Sequence, residues 1–387
     1  MNALAGIINR CGDIVEDVSF AAVREYKQKT GNKALGYFPV YSPVEIFRAA
    51  GFLPVGLNGA GNKIEITSAD SRFGSFICSI IKSTLELAIK GHLDVLDGMV
   101  FYDICDSARN LAYVIERNFS EKMFMDYIHL PQRSNGAAAV SFLSSEYGRI
   151  YKKLSEINST ASSTEKLREN ITLYNANRRL LRELYRFREK RPHDLATREL
   201  YVLMRSGNFL DVQEHNQILS EALKELDGRR LKPKDTVRVI VEGSFCEQPP
   251  LELLDIMDSV GYYVVDDDFL IGRRLFERDI PAKGNPIQAL AQGYMKNSVS
   301  SSVRHDPKRP RVDALLEKIR RHRVQAVIFL YAKFCEPGLF DYVLYKNVLD
   351  KEKIPYLFIE FEEKMWTFEK MRMELETFME SLLFEYA

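Results

Sequence analysis

The segment FICSIIKSTLELAIKGHLDVLDGMVFYDICDSARNLA, residues Phe76 to Ala112, carries the pattern on which the fold prediction depends. A run with helical apolar spacing begins near Cys78 and stops at Gly91, and a short apolar strand, Met99 to Phe101, follows it. Cys105 comes a few residues after that strand. Both cysteines are therefore predicted to lie near the ends of regular elements, where thiols can hold a metal cluster.

The same alternation of strands and helices occurs on both sides of a long helical segment. Ala34 to Leu57 predicts a strand, a helix and a strand, and Val237 to Val265 repeats that order. Between them, Ala137 to about Gly228 has helical spacing and is rich in Glu, Lys and Arg. We predict an α/β protein with two open parallel-sheet domains, doubly wound and flavodoxin-like, joined by a helical connector. The predicted division is residues 1–136 for an N-terminal helix and the first α/β domain, 137–232 for the connector, and 233–387 for the second α/β domain with its C-terminal helix.

Two local predictions concern the first domain. Val15 to Lys29 is predicted to be one helix, and Cys11 is predicted to lie outside the strand ends and the helix that carry the other four cysteines. In Ser42-Pro43-Val44-Glu45, the serine is predicted to be an N-cap and the glutamate to complete a capping box.

Composition excludes several classes of partner for the 387-residue chain. The 54 basic residues balance the 54 acidic ones, so no net field attracts nucleic acid or an anionic membrane. No stretch is apolar for about 18 residues, and the N-terminus lacks the pattern of a secretory signal, so we predict a cytoplasmic protein. Five cysteines, an odd number, argue against a disulfide framework and leave metal ligation, catalysis or burial.

The glycine-rich stretch from Gly56 to Lys63 fits neither nucleotide-binding template. A phosphate loop needs Lys after its last glycine, whereas Asn62 follows Gly61. The dinucleotide fingerprint needs a third Gly or Ala where Ile64 stands. We therefore predict a plain loop and no ATP site on this chain.

Three cysteines follow predicted strands. Cys105, Cys246 and Cys335 all come at the carboxyl ends of strands, where parallel sheets bind ligands, and Cys78 enters the same layer on its helix. Cys11 is predicted to be incidental. No Cys-x-x-Cys pair occurs, so spacing leaves two interpretations open, a metal site or scattered structural cysteines.

Five segments carry a resemblance to a known family: Ala34–Leu57, Asp103–Ser107, Tyr127–Gln132, Gly243–Asp268 and Lys333–Pro337. In these segments the chain resembles the subunits of benzoyl-CoA reductases and 2-hydroxyacyl-CoA dehydratases. The resemblance implies a [4Fe-4S] cluster whose iron is held by Cys78, Cys105 and Cys335. Cys246 is then a candidate fourth ligand or a pocket residue.

Within that family, residues 241–248 and 264–269 resemble the C-type catalytic subunit of ATP-dependent class I benzoyl-CoA reductases. The resemblance implies a cytoplasmic oxidoreductase subunit that acts on benzoyl-CoA or a related aromatic acyl-CoA and yields cyclohexadienoyl-CoA. The implied partners are a paralogous cluster-bearing subunit, ATP-binding activator-like subunits and ferredoxin as electron donor. The alternatives are a subunit of a 2-hydroxyacyl-CoA dehydratase, or a metal-free CoA-binding module.

No residue in the sequence is marked clearly as a proton donor. His129, at the end of a predicted strand, is the candidate catalytic residue, although a strand-end histidine is also a common structural residue. The acids that flank the cysteines are expected to position the loops and tune the cluster rather than to ligate iron. These acids are Asp103, Asp106, Glu247 and Glu336.

Overall fold

The structure is a computed structural model that describes residues 3–38, 41–133, 136–234, 236–243, 246, 248–268, 278–297, 310–362 and 365–386. Its strands form two four-stranded sheets, and every neighbouring pair is parallel. The first sheet has the order β2-β1-β3-β4 and the second the order β6-β5-β7-β8, so the second repeats the arrangement of the first. The strands are β1 (Lys33–Tyr37), β2 (Phe52–Gly56), β3 (Gly98–Tyr102), β4 (Phe124–Ile128), β5 (Val237–Gly243), β6 (Tyr262–Asp267), β7 (Ala326–Ala332) and β8 (Tyr356–Phe361).

Helices connect the parallel strands and form the segment between the two sheets. Parallel strands need such crossovers, because the chain must return to the same end of the sheet before the next strand begins. The helices are α1 (Ala3–Glu16), α2 (Ala21–Thr30), α3 (Val44–Ala49), α4 (Ser79–Ile89), α5 (Asp106–Phe119), α6 (Ala137–Ile157), α7 (Thr164–Lys190), α8 (Thr197–Arg205), α9 (Val212–Gly228), α10 (Leu251–Val260), α11 (Pro286–Asn297), α12 (Arg311–His322), α13 (Glu336–Glu352) and α14 (Glu369–Tyr386).

The second sheet is covered by apolar side chains on both faces. Along β7, Ala326, Ile328 and Leu330 belong to the large core that continues into the first sheet, whereas Val327 and Phe329 belong to a smaller core. Every residue of β7 is buried, as in a parallel strand between two layers of helices. The predicted α/β class with two parallel sheets is thus confirmed. The domain boundaries at 136 and 232 stay a prediction.

Helix α7 of the connector contacts elements near both sheets. The Tyr185 hydroxyl donates to the Asp267 carboxylate at 2.6 Å, at the end of β6. The Asn175 side chain exchanges two hydrogen bonds of 2.8 Å with the backbone of Ile280. Arg178 donates to Glu45 in α3, which follows the first strand of the first sheet. These bonds couple the connector to both halves of the chain.

Two local predictions in the N-terminal region were wrong. The stretch predicted as one helix over Val15 to Lys29 contains the end of α1 and most of α2, with Phe20 in the left-handed region at φ 56° between them. Cys11 lies inside α1 and is fully buried. Pro43 rather than Ser42 is the N-cap of α3, and proline has no side-chain acceptor with which to close the predicted capping box.

A buried ion network lies at the carboxyl edge of the second sheet. The guanidinium of Arg311 donates to Asp268 at 2.6 Å and also to Asp341, and all three side chains are nearly excluded from solvent. Burial, reinforced by the nearby Asp268, raises the pKa of Glu242 to about 8. The network therefore depends on the arginine to compensate two buried carboxylates.

Within the described ranges, no helix is long and apolar enough to cross a membrane.

Candidate functional site

Three cysteines are the N-cap residues of helices. Cys78 precedes α4, Cys105 precedes α5 and Cys335 precedes α13. The first amide groups of each helix point toward its N-cap, and the helix dipole adds partial positive charge there. Each cysteine is thus placed where an anionic ligand is stabilised.

These three cysteines meet Cys246 around one cavity. The cavity has a volume of about 490 Å³, within the range of small-molecule sites, and all four residues line it. Cys78 and Cys105 come from the first sheet, whereas Cys246 and Cys335 come from loops after β5 and β7 of the second. In each sheet the later strands are added outward on opposite sides of two central strands, β1 and β3 or β5 and β7, and ligands bind beside such a switch point in parallel sheets. The cavity therefore forms where two such binding edges face each other.

Burial and nearby backbone amides act in opposite directions on the pKa of the Cys105 thiol. Burial raises the pKa of the Cys105 thiol to about 11, and the neighbouring Cys335 contributes to the rise. Backbone N–H groups of Ala108 and Ser107 donate to the sulfur and oppose the shift. A thiolate is thus costly in this cavity unless positive charge arrives with it, as it does when metal is bound.

Gly338 lets α13 approach β7 closely beside Cys335. A methyl group added at Gly338 would come within 2.7 Å of the Tyr331 ring and 3.4 Å of Cys335 Sγ. No ordinary side chain fits that space without displacing the ring or the sulfur. The close packing of the helix start on the strand therefore fixes the position of this cysteine.

The metal donors that line this cavity include four cysteines. Among the residues that the structure describes, no three His, Cys, Asp or Glu side chains converge on one metal position. Ligands of one ion lie within about 2.3 Å of it, whereas the cysteines of an iron–sulfur cluster bind different irons and stand farther apart. Four cysteines around one cavity are the donor type that such a cluster requires.

Cys246 and Cys11 differ sharply in position. Cys246 is buried and lines the cavity with the three N-cap cysteines. Its neighbours Ser244, Phe245 and Glu247 lie outside the described residues. Cys11 is buried in α1, away from the cavity, and burial raises the pKa of its thiol. None of the five cysteines is in a disulfide.

Asp103, rather than the predicted His129, reaches the cavity. Asp103 lines the cavity, whereas His129 does not, and His129 Nδ1 lies 3.2 Å from Asp103 Oδ2. The Tyr127 hydroxyl donates to the other oxygen of Asp103 at 2.6 Å. The histidine thus meets the site through the aspartate. Two further acids that flank the cysteines, Asp106 and Glu336, also line the cavity.

Sequence reasoning missed the aromatic part of this wall. Phe38, Phe76, Phe334 and Phe340 all line the cavity. Phe76 and Phe334 are far apart in the chain, yet their ring centroids lie 5.7 Å apart in an edge-to-face arrangement. Only their positions next to the cysteine loops could have pointed to them, because no local spacing predicts contact between two sheets.

Comparison with known proteins places the chain in a family. The family model of the 2-hydroxyglutaryl-CoA dehydratase D-component matches residues 39–382. The chain is 34% identical to the C-type subunit of benzoyl-CoA reductase from Thauera aromatica over 98% of both chains. It is 28% identical to the (R)-phenyllactyl-CoA dehydratase beta subunit of Clostridium sporogenes, over 96% of this chain and 97% of that one. It is 27% identical to the beta subunit of lactoyl-CoA dehydratase from Anaerotignum propionicum, over 99% of this chain and 100% of that one. The chain therefore belongs to the family of the 2-hydroxyglutaryl-CoA dehydratase D-component, which includes subunits of benzoyl-CoA reductase and of 2-hydroxyacyl-CoA dehydratases.

Proposed function

We propose that this chain is a catalytic subunit of an ATP-dependent benzoyl-CoA reductase. The observation that carries the proposal is the 34% identity to the C-type benzoyl-CoA reductase subunit, against 27% and 28% to dehydratase beta subunits of similar length. The reaction adds two electrons and two protons to the aromatic ring of benzoyl-CoA and yields cyclohexadienoyl-CoA. Its electrons come from ferredoxin, with ATP hydrolysis as the additional driving force.

We infer that the cavity holds a [4Fe-4S] cluster. Cys78, Cys105 and Cys335 hold three of its irons, and Cys246, which lines the same cavity, is the candidate for the fourth. When bound, such a cluster supplies electrons at potentials that reach on the order of −700 mV, set by net charge, hydrogen bonds to sulfur and exposure. Backbone amides at the three helix starts stabilise the negatively charged cysteine sulfurs that would bind the cluster.

The cysteines are surrounded by a hydrogen-bonded polar group and by apolar aromatic side chains. Asp103 lines the cavity and accepts a hydrogen bond from Tyr127, and it lies beside the His129 ring. We infer that His129, the candidate proton donor, acts on the cavity through Asp103, which lies between the histidine and the cavity. Phenylalanines on the wall give the reacting ring an apolar surface to lie against, which reduces its contact with water.

ATP is assigned to partner subunits. In this chain the glycine-rich residues after β2 continue into a short 3₁₀ turn, Gly61–Lys63, instead of the α-helix that follows a phosphate loop. The proposed complex therefore contains activator-like ATP-binding subunits and a paralogous cluster-bearing subunit. The relatives are themselves named as subunits, in keeping with such an assembly.

A substrate comparison tests the proposal. The complex, co-expressed and purified without oxygen, is supplied with ATP and a low-potential reductant and incubated with either benzoyl-CoA or (R)-phenyllactyl-CoA. We expect loss of benzoyl-CoA with formation of a cyclic dienoyl thioester, and no dehydration of the hydroxyacyl thioester. The opposite pattern would assign the chain to a dehydratase, the second candidate, which the family model and two relatives favour.

A further inference from the structure

We propose that Phe76, Phe334 and Phe340 form the surface that recognises the planar acyl ring at the mouth of the cysteine cavity. The inference rests on the proposed function and assigns ring selectivity to residues of this chain. All three phenylalanines line the cavity together with the cysteines. The site that is expected to receive an aromatic ring is thus bordered by aromatic rings.

Two of these rings are unusually exposed. Phe76 is 79% exposed and Phe340 is 69% exposed, although both are large apolar side chains. Single exposed apolar residues are common, but Phe76 and Phe340 both line one cavity and so offer exposed apolar area to a ligand bound in it. A planar apolar guest placed there would cover area that is otherwise in water.

Phe334 is held in a defined orientation. Its backbone lies in the left-handed region at φ 65°, which is uncommon for a residue with a side chain and occurs mainly where the surrounding structure imposes it. The edge of one ring of the Phe76–Phe334 pair faces the other at an interplanar angle of 89°. Lys333 Nζ lies 5.1 Å from the Phe334 centroid and is itself paired with Glu362 at 2.9 Å. The ring is therefore oriented before any ligand arrives.

The chemistry of these rings favours a flat guest over a saturated one. Aromatic pairs prefer edge-to-face or offset stacked contacts because the ring face is negative and its edge positive. A benzoyl ring can make such contacts, whereas a cyclohexane ring presents only C–H groups. The gain per aromatic pair corresponds to a discrimination of about 2- to 10-fold. Two exposed rings thus give a measurable preference for the aromatic thioester.

Ligand binding without ATP tests this assignment separately from turnover. Dissociation constants of benzoyl-CoA and cyclohexanecarbonyl-CoA are measured on the intact complex for wild type, Phe76→Leu and Phe340→Leu. Leucine keeps an apolar side chain but removes the ring. We expect each change to lower the preference for benzoyl-CoA by about 2- to 10-fold, with little change for the saturated ligand. Phe142→Leu, an exposed phenylalanine on α6 outside the cavity, is the matched control and should leave both constants unchanged.

Two results would overturn the inference. One is an unchanged ratio of the two constants in variants that keep their partner proteins. The other is loss of those partners on size-exclusion chromatography together with an equal loss of affinity for both ligands. That result would assign the phenylalanines to an interface within the complex. A wild-type complex that binds benzoyl-CoA selectively but does not reduce it would contradict the proposed function. It would not contradict the assignment of the phenylalanines to ring recognition.

Discussion

Acidification should destabilise the connector through one buried histidine. His215 of α9 is 3% exposed, and burial lowers its pKa to about 4. Its Nε2 lies 2.8 Å from the carbonyl oxygen of Leu203, which can only accept, so Nε2 carries the proton. Asn177 Nδ2 then donates to Nδ1 at 2.8 Å, and the same amide also donates to Asn216. A second proton, on Nδ1 of His215, would point at the N–H group of Asn177 in a buried environment.

The size of the effect follows from the shift. The folded-state pKa of about 4 lies below the ordinary value of 6.5. A base with a lowered pKa contributes stability above its unfolded value, and that stability is lost as pH falls through the folded value. At 1.36 kcal/mol per pKa unit, the full loss is about 3 kcal/mol, of which about 2 kcal/mol falls between pH 7 and pH 5.

Urea unfolding followed by circular dichroism checks this expectation. The free energy of unfolding is measured near pH 7 and near pH 5 for wild type and for His215→Gln, which removes the titrating ring. We expect the pH-dependent loss to be about 2 kcal/mol smaller in the variant, whatever its stability at neutral pH. His92→Gln, a change at a less buried histidine, should keep the wild-type dependence. Parallel losses in wild type and His215→Gln would refute the reasoning.

Two further changes test the packing of the connector and the buried ion network of the second sheet. Gly207→Ala would bring a methyl group within 2.5 Å of the His215 ring, so unfolding in urea should show a loss of about 1–3 kcal/mol. Gly148→Ala in α6, with nothing within 4 Å, should instead gain about 1 kcal/mol, and an equal loss at both sites would contradict the steric argument. Arg311→Met leaves Asp268 and Asp341 buried without the arginine that pairs with both. This change should lower the free energy of unfolding by about 3–5 kcal/mol. A variant as stable as wild type would show that the network contributes nothing.

Much of the fold could be predicted because its signals are local. The strand at Met99 to Phe101 and the helix that stops at Gly91 are marked by apolar spacing and by a terminating glycine, and both occur in the structure as β3 and α4. The parallel sheets follow from strands separated by helices. The break at Phe20 could not be predicted, because a phenylalanine in the left-handed region is imposed by its surroundings rather than by its own preference.

The candidate site also contains residues that could be predicted from the sequence and residues that could not. Cysteines after strands could be assigned to one edge from topology alone, and Cys78, Cys105, Cys246 and Cys335 do line one cavity. Contacts between loops of different sheets have no such signal. The pair of Phe76 and Phe334, 258 positions apart by subtraction of their numbers, is of this kind.

The proposed function depends most on the four-cysteine cavity, and iron analysis of cysteine variants tests that cavity most directly. Iron and acid-labile sulfide are determined in the anaerobically purified complex, and the paramagnetic spectrum of the reduced protein is recorded. We expect wild type and Cys11→Ser to hold about four iron atoms per copy of this chain in addition to those of its partner subunits, and Cys78→Ser, Cys105→Ser or Cys335→Ser to lose those four and their share of the signal. An iron-free wild-type chain, or cysteine variants that keep the full signal, would contradict the assignment of the cavity to a cluster.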